Sequence, residues 1–320
     1  MSMTQEHLLS LGPEGFHRLA YTDWGDARNP HVVICVHGLS RNGRDFDRLA
    51  AALSGTCRVV CPDVVGRGES AWLKDRFAYS FPTYLNDAAT LVARATATAA
   101  RPGLLGGLLD GLRGRRRDPE KLPALDWVGT SMGGLIGMLL AAKSGSPIRK
   151  LVLNDVGAFV PWAGLIRLKG HIGNNIAFAN LEEAERYFRN VCLEFGELDD
   201  EYWEHITKHG VMQREDGRYI LRYDPAITRS LPVHMDPELP IGPEFLRGID
   251  LWNVWDAVTC PVLVLRGRDS EVLPRDVLTE MQRRRPDLRV AEFDRVGHAP
   301  ALATPEQIDV VRDFLLENTG

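Results

Sequence analysis

Short apolar runs alternate with segments of helical periodicity along most of the chain. The runs are nearly unbroken and rich in β-branched residues, as in strands that are buried on both faces of a parallel sheet. They cover residues 31–36, 58–63, 124–128, 150–155, 261–267 and 289–293. Helical periodicity covers residues 46–53, 84–100, 135–142 and 305–316. This alternation predicts an α/β fold built on a mostly parallel sheet.

The alternation stops in the second half of the chain. Residues 157–247 mix polar and apolar positions with helical character, for example over 181–195, and several prolines interrupt the end of this segment. Such a segment between two strands of a sheet favours an inserted lid. We therefore predict a core domain formed by residues 1–156 and 248–320, with a helical cap inserted over 157–247.

Composition and charge narrow the class of protein. Of the 320 residues, 44% are hydrophobic and 25% are charged, with a net charge of -5, so nothing indicates a basic surface for nucleic acid. The five cysteines show no C-x-x-C spacing, which favours free thiols. No secretory signal and no apolar run of membrane-spanning length is visible. We expect a cytoplasmic protein that binds neither nucleic acid nor a membrane core.

A basic segment over residues 101–123 does not fit the α/β alternation. It contains five glycines and an arginine-rich run over 113–117. The interpretation we favour is a solvated surface insertion. The alternative is a basic arm for anionic lipid or for the phosphates of an acyl-CoA, although the glycine content argues against a stable amphipathic helix.

The segment Gly129-Thr130-Ser131-Met132-Gly133 fits the pattern G-x-S-x-G. An apolar strand precedes it and an apolar helix follows it, which is the context that this pattern requires. In such a turn, glycines allow helix and strand to approach closely, while the serine hydroxyl is held above the edge of the sheet. We predict that Ser131 is a nucleophile.

A serine nucleophile needs a base, and the base needs a carboxylate. His298 lies in the loop between the last strand and the last helix, at the carboxyl edge of the sheet where ligand sites form. Asp269 follows the preceding strand, so that Ser131, Asp269 and His298 occur in the order nucleophile, acid, base. We predict this catalytic triad. Asp155, which also ends a strand, is the alternative acid.

Backbone groups are predicted to complete the site. The N–H groups of Met132 and Leu39 are candidates for an oxyanion hole, because they follow the serine and an early strand. We interpret His37 as a structural residue of that early loop, and Asp63 as a brace for the turn beside Gly66-Arg67-Gly68. The sequence contains no H-E-x-x-H or similar ligand spacing, so we predict neither a metal nor a cofactor.

Taken together, these motifs resemble the α/β-hydrolase fold superfamily. The matching segments are His37-Gly38-Leu39, Asp63 with 66–70, the elbow at 129–134, Gly267-Arg268-Asp269 and Gly297-His298. The resemblance implies an eight-stranded, mostly parallel sheet with a helical cap inserted after the sixth strand. By position it also implies a triad of Ser131, Asp269 and His298, with Leu39 and Met132 lining the oxyanion hole.

The residue at the elbow restricts the chemistry that the resemblance implies. Haloalkane dehalogenases and epoxide hydrolases of this fold attack with a carboxylate, whereas this chain has a serine, which favours acyl chemistry. We expect hydrolysis of a small or medium carboxylic ester through an acyl-enzyme. A C–C bond hydrolase, a lactonase, a thioesterase, an acyltransferase and a small-molecule receptor remain alternatives, and the oligomeric state remains open. Candidate walls of the pocket are Trp162, Phe178, Trp203 and Trp252, although packing in a hydrophobic core is the role we favour for each of them.

Overall fold

The computed structural model describes residues 3–100, 123–164, 176–230 and 248–317. Apart from Pro123, the basic segment 101–123 lies outside the described residues, so its interpretation stays a prediction. The proline-rich end of the predicted cap, over residues 231–247, also lies outside them.

An eight-stranded sheet forms the centre of the protein, in the order β1-β2-β4-β3-β5-β6-β12-β13. The strands of this sheet are β1 Met3–Gly12, β2 Gly15–Trp24, β3 His31–Val36, β4 Arg58–Pro62, β5 Ala124–Thr130, β6 Ile148–Asn154, β12 Val262–Gly267 and β13 Arg289–Phe293. The hairpin of β1 and β2 is antiparallel, and β2 runs antiparallel to β4. All further pairings in this sheet are parallel. The predicted α/β fold with a mostly parallel eight-stranded sheet is confirmed.

Helices pack on both faces of this sheet. Those that follow strands of the core are α1 Asp47–Leu53, α2 Phe81–Ala100, α3 Met132–Ala141, α7 Arg275–Arg284 and α8 Pro305–Leu316. The strand β3 illustrates the double burial, since Val32 and Ile34 belong to one hydrophobic cluster while Val33 and Cys35 belong to the other. Alternate residues of a strand point to opposite faces, which explains why the strands read as unbroken apolar runs.

Between β6 and β12 the chain forms a separate group of elements, which we call the insert (residues 157–247). The strands that follow β6 are β7 Phe159–Pro161, β8 Ala177–Phe178, β9 Val211–Gln213, β10 Tyr219–Leu221 and β11 Gly248–Asp250, the last lying just beyond the insert. The helices there are α4 Leu181–Val191 and α5 Asp200–Gly210, and α6 Trp252–Ala257 leads back to the core. The described part of the insert therefore contains a small antiparallel sheet, in the order β8-β10-β9, besides the helices that the sequence predicts. Its division from the core as a domain stays a prediction.

Backbone and side-chain hydrogen bonds hold the insert against the carboxyl edge of the sheet. The N–H of Asp224 donates to the carbonyl of Gly66 at 2.8 Å, and the N–H of Gly68 donates to the carbonyl of Arg222 at 2.9 Å. The side-chain amide of Asn42 donates to the carbonyl of His209 at 3.0 Å. The insert thus covers the ends of the strands from which candidate catalytic residues project.

Close packing of α3 on the sheet fixes the turn that joins β5 to α3. A Cβ atom on Gly133 would overlap the carbonyl oxygen of Val36, and one on Gly129 would overlap the carbonyl of Gly133. The indole N–H of Trp127 donates to the carbonyl of Gly133 at 3.0 Å. The glycines of the predicted elbow are therefore required by contact distance.

In the described ranges, we find no helix with the length and apolar character needed to cross a lipid bilayer.

We expect Gly133→Ala to destabilise the protein by about 1–3 kcal/mol, because the added methyl group must displace the backbone of β3 or α3. Urea unfolding followed by far-UV circular dichroism measures this change. Lys143→Ala, an exposed change just beyond α3, is the control and should leave the free energy of unfolding within about 0.5 kcal/mol. Equal midpoints for Gly133→Ala and wild type would contradict the steric argument.

Candidate active site

Ser131 occupies a strained corner between β5 and α3. Its φ is +52°, a value that residues with a side chain rarely adopt. The corner is held by its own backbone, since the N–H of Ser131 donates to the carbonyl of Asn154 at 2.9 Å. The carbonyl of Ser131 accepts from the N–H groups of Gly134 and Leu135 at 2.9 and 3.0 Å. The hydroxyl is thereby raised above the sheet, as the G-x-S-x-G pattern predicts.

His298 lies between a hydroxyl and a carboxylate. Its Nε2 is 2.9 Å from Oγ of Ser131, and its Nδ1 is 2.6 Å from Oδ2 of Asp155. A carboxylate can only accept, so the ring donates through Nδ1 and its Nε2 can accept the serine proton. The His298 side chain is 9% exposed and that of Asp155 is fully buried. Ser131 and His298 therefore meet as the sequence predicts.

The carboxylate in contact with His298 is Asp155, so the prediction of Asp269 for this position is wrong. Asp155 follows β6 with a φ of +55°, and its carboxylate accepts from the N–H of Gly267 at 3.0 Å and from the hydroxyl of Ser270 at 2.5 Å. The side chain of Asp269 is exposed, and its N–H donates to the carbonyl of Val296 at 3.0 Å. The turn after β12 thus supplies hydrogen-bond donors to the carboxylate rather than the carboxylate itself.

A residue of the insert supports the loop that carries His298. The carbonyl of Glu194 accepts from the N–H of Gly297 at 2.8 Å, and its Oε2 accepts from the N–H of His298 at 3.2 Å. A Cβ atom on Gly267 would overlap the carbonyl of Gly297, so the loop also packs tightly on the turn after β12. Glu194 could not be predicted from the sequence, because no motif marks a residue so far along the chain from the histidine.

Asn154 connects the serine corner to the histidine loop. Its carbonyl accepts from the N–H of Ser131, and its side-chain amide donates to the hydroxyl of Thr130 at 3.0 Å and to the carbonyl of Pro300 at 2.8 Å. Asn154 is completely buried. This residue, which sequence reasoning also missed, ties together the two turns whose side chains meet.

The loop after β3 packs directly on Ser131. A Cβ atom on Gly38 would lie 3.7 Å from Cβ of Ser131, which is ordinary contact. Within the described residues, neither the N–H of Leu39 nor that of Met132 donates a hydrogen bond to the protein. Two backbone donors are thus free beside the serine, at the positions where the sequence predicts an oxyanion hole.

Arg67 contacts both Leu39 and Met132, a role that the sequence did not predict. Its guanidinium is fully buried, donates from Nε to the carbonyl of Leu39 at 2.8 Å, and lies 3.8 Å from the sulfur of Met132. It also donates to the carbonyl of Val65 at 2.7 Å and to the hydroxyl of Tyr84 at 3.0 Å. The run Gly66-Arg67-Gly68 signals a turn in the sequence, but nothing in it reveals where the arginine reaches.

His37 and Asp63 have the structural surroundings that the sequence leads us to expect. His37 donates from Nδ1 to the carbonyl of Gly38 at 2.7 Å, while its Nε2 accepts from the N–H of Val64 at 2.9 Å. Burial lowers the pKa of His37 to about 4, so it stays neutral and holds the loop. Asp63 accepts from the N–H groups of Gly43 and Glu69, both at 2.8 Å, and burial raises its pKa to about 7.

A pocket with a cavity volume of about 120 Å³ opens above Ser131 and is continuous with solvent. Its apolar walls come mostly from the insert, with Tyr187, Phe188, Phe195, Leu221 and Tyr223. The candidate walls Trp162, Phe178, Trp203 and Trp252 do not line it: Phe178 and Trp203 are buried in a hydrophobic cluster, and Trp252 packs under Arg284.

Comparison with known proteins identifies the family. The model of the alpha/beta hydrolase family matches residues 33–309, which is most of the chain. The chain belongs to the alpha/beta hydrolase family. The protein is therefore an enzyme of the hydrolase class, in agreement with the resemblance of its motifs.

Several relatives cover nearly the whole of this hydrolase. The 3-hydroxybutyrate-oligomer hydrolase of Cupriavidus necator is 39% identical over 311 residues, which are 95% of this chain and 94% of the relative. A crystal structure of an alpha/beta hydrolase from Novosphingobium aromaticivorans is 32% identical, with a TM-score of 0.75 and 98% of each chain covered. A structure from Rickettsia typhi described as a hydrolase is 27% identical, with a TM-score of 0.81 and both chains fully covered.

In the part of this hydrolase that the structure describes, no group of three or more histidine, cysteine and carboxylate side chains is arranged to hold a metal ion.

We expect Asp155→Asn to lower the turnover of p-nitrophenyl acetate by about 10³–10⁴-fold, because an amide can donate to Nδ1 and favour the wrong histidine tautomer. Asp269→Asn is the matched control and should retain turnover within about twofold, because its side chain is exposed and makes no hydrogen bond to the ring among the described residues. Steady-state kinetics of the two purified variants measure both effects. A large loss in Asp269→Asn with normal turnover in Asp155→Asn would restore the sequence-based assignment.

Proposed function

We propose that this hydrolase cleaves carboxylic esters of small or medium size through an acyl-enzyme on Ser131. The observation that carries the proposal is the continuous contact of three side chains, from Oγ of Ser131 to His298 and from His298 to Asp155. A serine hydroxyl is a weak nucleophile at neutral pH, and a neighbouring imidazole oriented by a carboxylate is the usual means of activating it.

In the proposed mechanism, Nε2 of His298 accepts the proton of Ser131 while Oγ attacks the ester carbonyl carbon. Asp155 holds the ring in the required tautomer and stabilises the imidazolium that forms. The tetrahedral intermediate then collapses, the C–O bond to the alcohol breaks, and the imidazolium protonates the departing oxygen. A water molecule then attacks the carbonyl carbon of the acyl-enzyme while His298 accepts its proton. The bond to Oγ of Ser131 breaks, the imidazolium returns the proton to that oxygen, and the carboxylic acid is released.

Backbone donors stabilise the negative charge of the two tetrahedral intermediates. We assign this role to the N–H groups of Leu39 and Met132, and their lack of a partner among the described residues supports the assignment. One such donor contributes about 2.7–4 kcal/mol to lowering the barrier in other serine enzymes. Arg67 acts as a positioning residue, because it binds the carbonyl of Leu39 and contacts the side chain of Met132.

The substrate class that we propose is an ester of a hydroxy acid, such as a short oligomer. Similarity to the oligomer hydrolase of Cupriavidus necator supports this class, since it extends over 95% of the chain at 39% identity. The largely apolar walls over Ser131 suit an aliphatic acyl group. We further propose that the insert, residues 157–247, serves as a cap that forms most of these walls and excludes water during acylation.

We also infer that the enzyme acts in a reducing compartment such as the cytoplasm. All five cysteines are free thiols, and four of them are buried. Disulfides are common in oxidising compartments, so a chain with five unpaired thiols fits a reducing one.

We expect Ser131→Ala to lower kcat for p-nitrophenyl butyrate by at least about 10³-fold with little change in unfolding temperature, because only the attacking oxygen is lost. Ser40→Ala is the control, because Ser40 also lines the pocket but forms no hydrogen bond with His298 within the described residues. This variant should retain most of the activity. Stopped-flow and steady-state assays measure both. Unchanged turnover in Ser131→Ala would refute the acyl-enzyme.

A substrate panel tests the ester class itself. Oligoesters of 3-hydroxybutyrate and simple alkyl esters should be cleaved with a higher kcat/KM than matched thioesters, lactones and vinylogous diketones. A preference for any of these three classes would replace the ester proposal with thioesterase, lactonase or C–C hydrolase activity on the same side chains.

A further inference from the structure

Arg41 places a cation in the wall of the pocket above Ser131, and the proposed mechanism does not use it. It lies two residues beyond Leu39, and its N–H donates to the carbonyl of Gly38 at 3.3 Å. A turn of this kind keeps its first and last Cα atoms within about 7 Å. Arg41 is therefore held close to the candidate oxyanion hole, on the same loop.

One edge of the guanidinium is already occupied. Its Nε donates to Oδ2 of Asp45 at 2.9 Å and its Nη2 donates to Oδ1 at 2.6 Å, so Asp45 binds it in a bidentate manner. The central carbon of the guanidinium lies 5.2 Å from the centre of the Phe188 ring. These two contacts fix the orientation of the arginine before any substrate binds.

The other edge of the guanidinium is free. A guanidinium carries five N–H donors, and within the described residues Nη1 has no hydrogen-bond partner. The side chain is only 11% exposed, so these donors are not simply immersed in solvent. Nη1 is also not among the fully buried side-chain atoms that lack a partner in the described residues, so a ligand can reach it.

The guanidinium is the charged group that faces the pocket, because Asp45 pairs with its opposite edge and does not line the pocket. Among the described residues that line the pocket, Arg41 is the only one of the aspartate, glutamate, lysine and arginine types. Its neighbours on the pocket wall include the apolar side chains of Phe188 and Val191, which reduce solvent screening of the charge. Arginine binds carboxylates through paired, parallel hydrogen bonds, and its open edge has the geometry for a second such pair.

We propose that Arg41 binds a free carboxylate on the alcohol side of the substrate, so that the enzyme removes hydroxy-acid units from the carboxyl end of an oligoester. This proposal rests on the proposed ester hydrolysis and deepens it. In an ester of a 3-hydroxy acid, two carbon atoms separate the alcohol oxygen from the carboxylate carbon. The anion and the reacting carbonyl are therefore close enough for one pocket to hold both.

The experiment compares two substrates that differ only in this charge. One is the dimer of 3-hydroxybutyrate as its free acid, and the other is the same dimer with the carboxyl group converted to a primary amide. The initial rates of release of the terminal unit give kcat/KM for each. We expect wild type to prefer the acid by at least about tenfold, as a charge-assisted hydrogen-bond pair allows.

The variant Arg41→Met/Asp45→Asn removes the cation without leaving an unpaired buried carboxylate. We expect it to lower kcat/KM for the acid dimer by about 10–100-fold, mainly through KM, and to change kcat/KM for the amide by less than about threefold. The matched control is Arg44→Met/Asp47→Asn, which removes a similar ion pair outside the lining of this pocket and should preserve the wild-type ratio.

Equal losses on both dimers in the Arg41 variant would overturn the proposal, because they would assign Arg41 a purely structural role. Wild-type cleavage of both dimers without preference would overturn it while leaving ester hydrolysis intact. Cleavage of neither dimer and of no p-nitrophenyl ester would overturn the proposed function, and the carboxylate assignment with it.

Discussion

The hydrogen bonds that converge on the carboxylate of Asp155 are the interaction on which the site depends. They join the end of β6 to the turn after β12 through Gly267 and Ser270, and to the loop after β13 through His298. A fully buried carboxylate is expensive to maintain unless donors surround it. Because these donors come from adjacent strand ends, the same bonds that stabilise the charge also set the position of the histidine ring.

The core and the insert make different contributions to the pocket. The core provides Ser131, His298 and the N–H groups of Leu39 and Met132, all in turns and loops at the carboxyl edge of the sheet. The insert provides aromatic and aliphatic walls, and through Glu194 it also holds the backbone of the histidine loop. A change in the insert can therefore alter both the shape of the pocket and the position of the ring.

Much of this organisation could be predicted from the sequence. Strands buried on two faces produce a clear apolar pattern, and the elbow at Ser131 needs glycines at fixed positions. The fold, the serine and the histidine could therefore all be predicted. The acid could not be predicted, because β6 and β12 are adjacent and an aspartate follows each of them within two residues. The two residues differ in the direction of their side chains. Gly267 and Ser270 donate hydrogen bonds that orient Asp155 towards His298, and no sequence motif marks these two residues as donors.

Long-range contacts account for the other omissions. Asn154, Glu194 and Arg67 all act through hydrogen bonds to turns far away along the chain. Neither periodicity nor motif spacing encodes such pairs. The aromatic walls were missed for a related reason, since an aromatic residue of the insert can serve the core or the pocket, and only packing decides which.

The most direct test of the central claim is a crystal structure of the enzyme after reaction with a p-nitrophenyl phosphonate, which mimics the tetrahedral intermediate. We expect phosphorus bonded to Oγ of Ser131, with its free oxygen about 2.7–3.1 Å from the backbone nitrogens of both Leu39 and Met132. We also expect that the ring of His298 stays in contact with Asp155. Phosphorus on another residue, or an oxygen turned away from both nitrogens, would contradict the central claim.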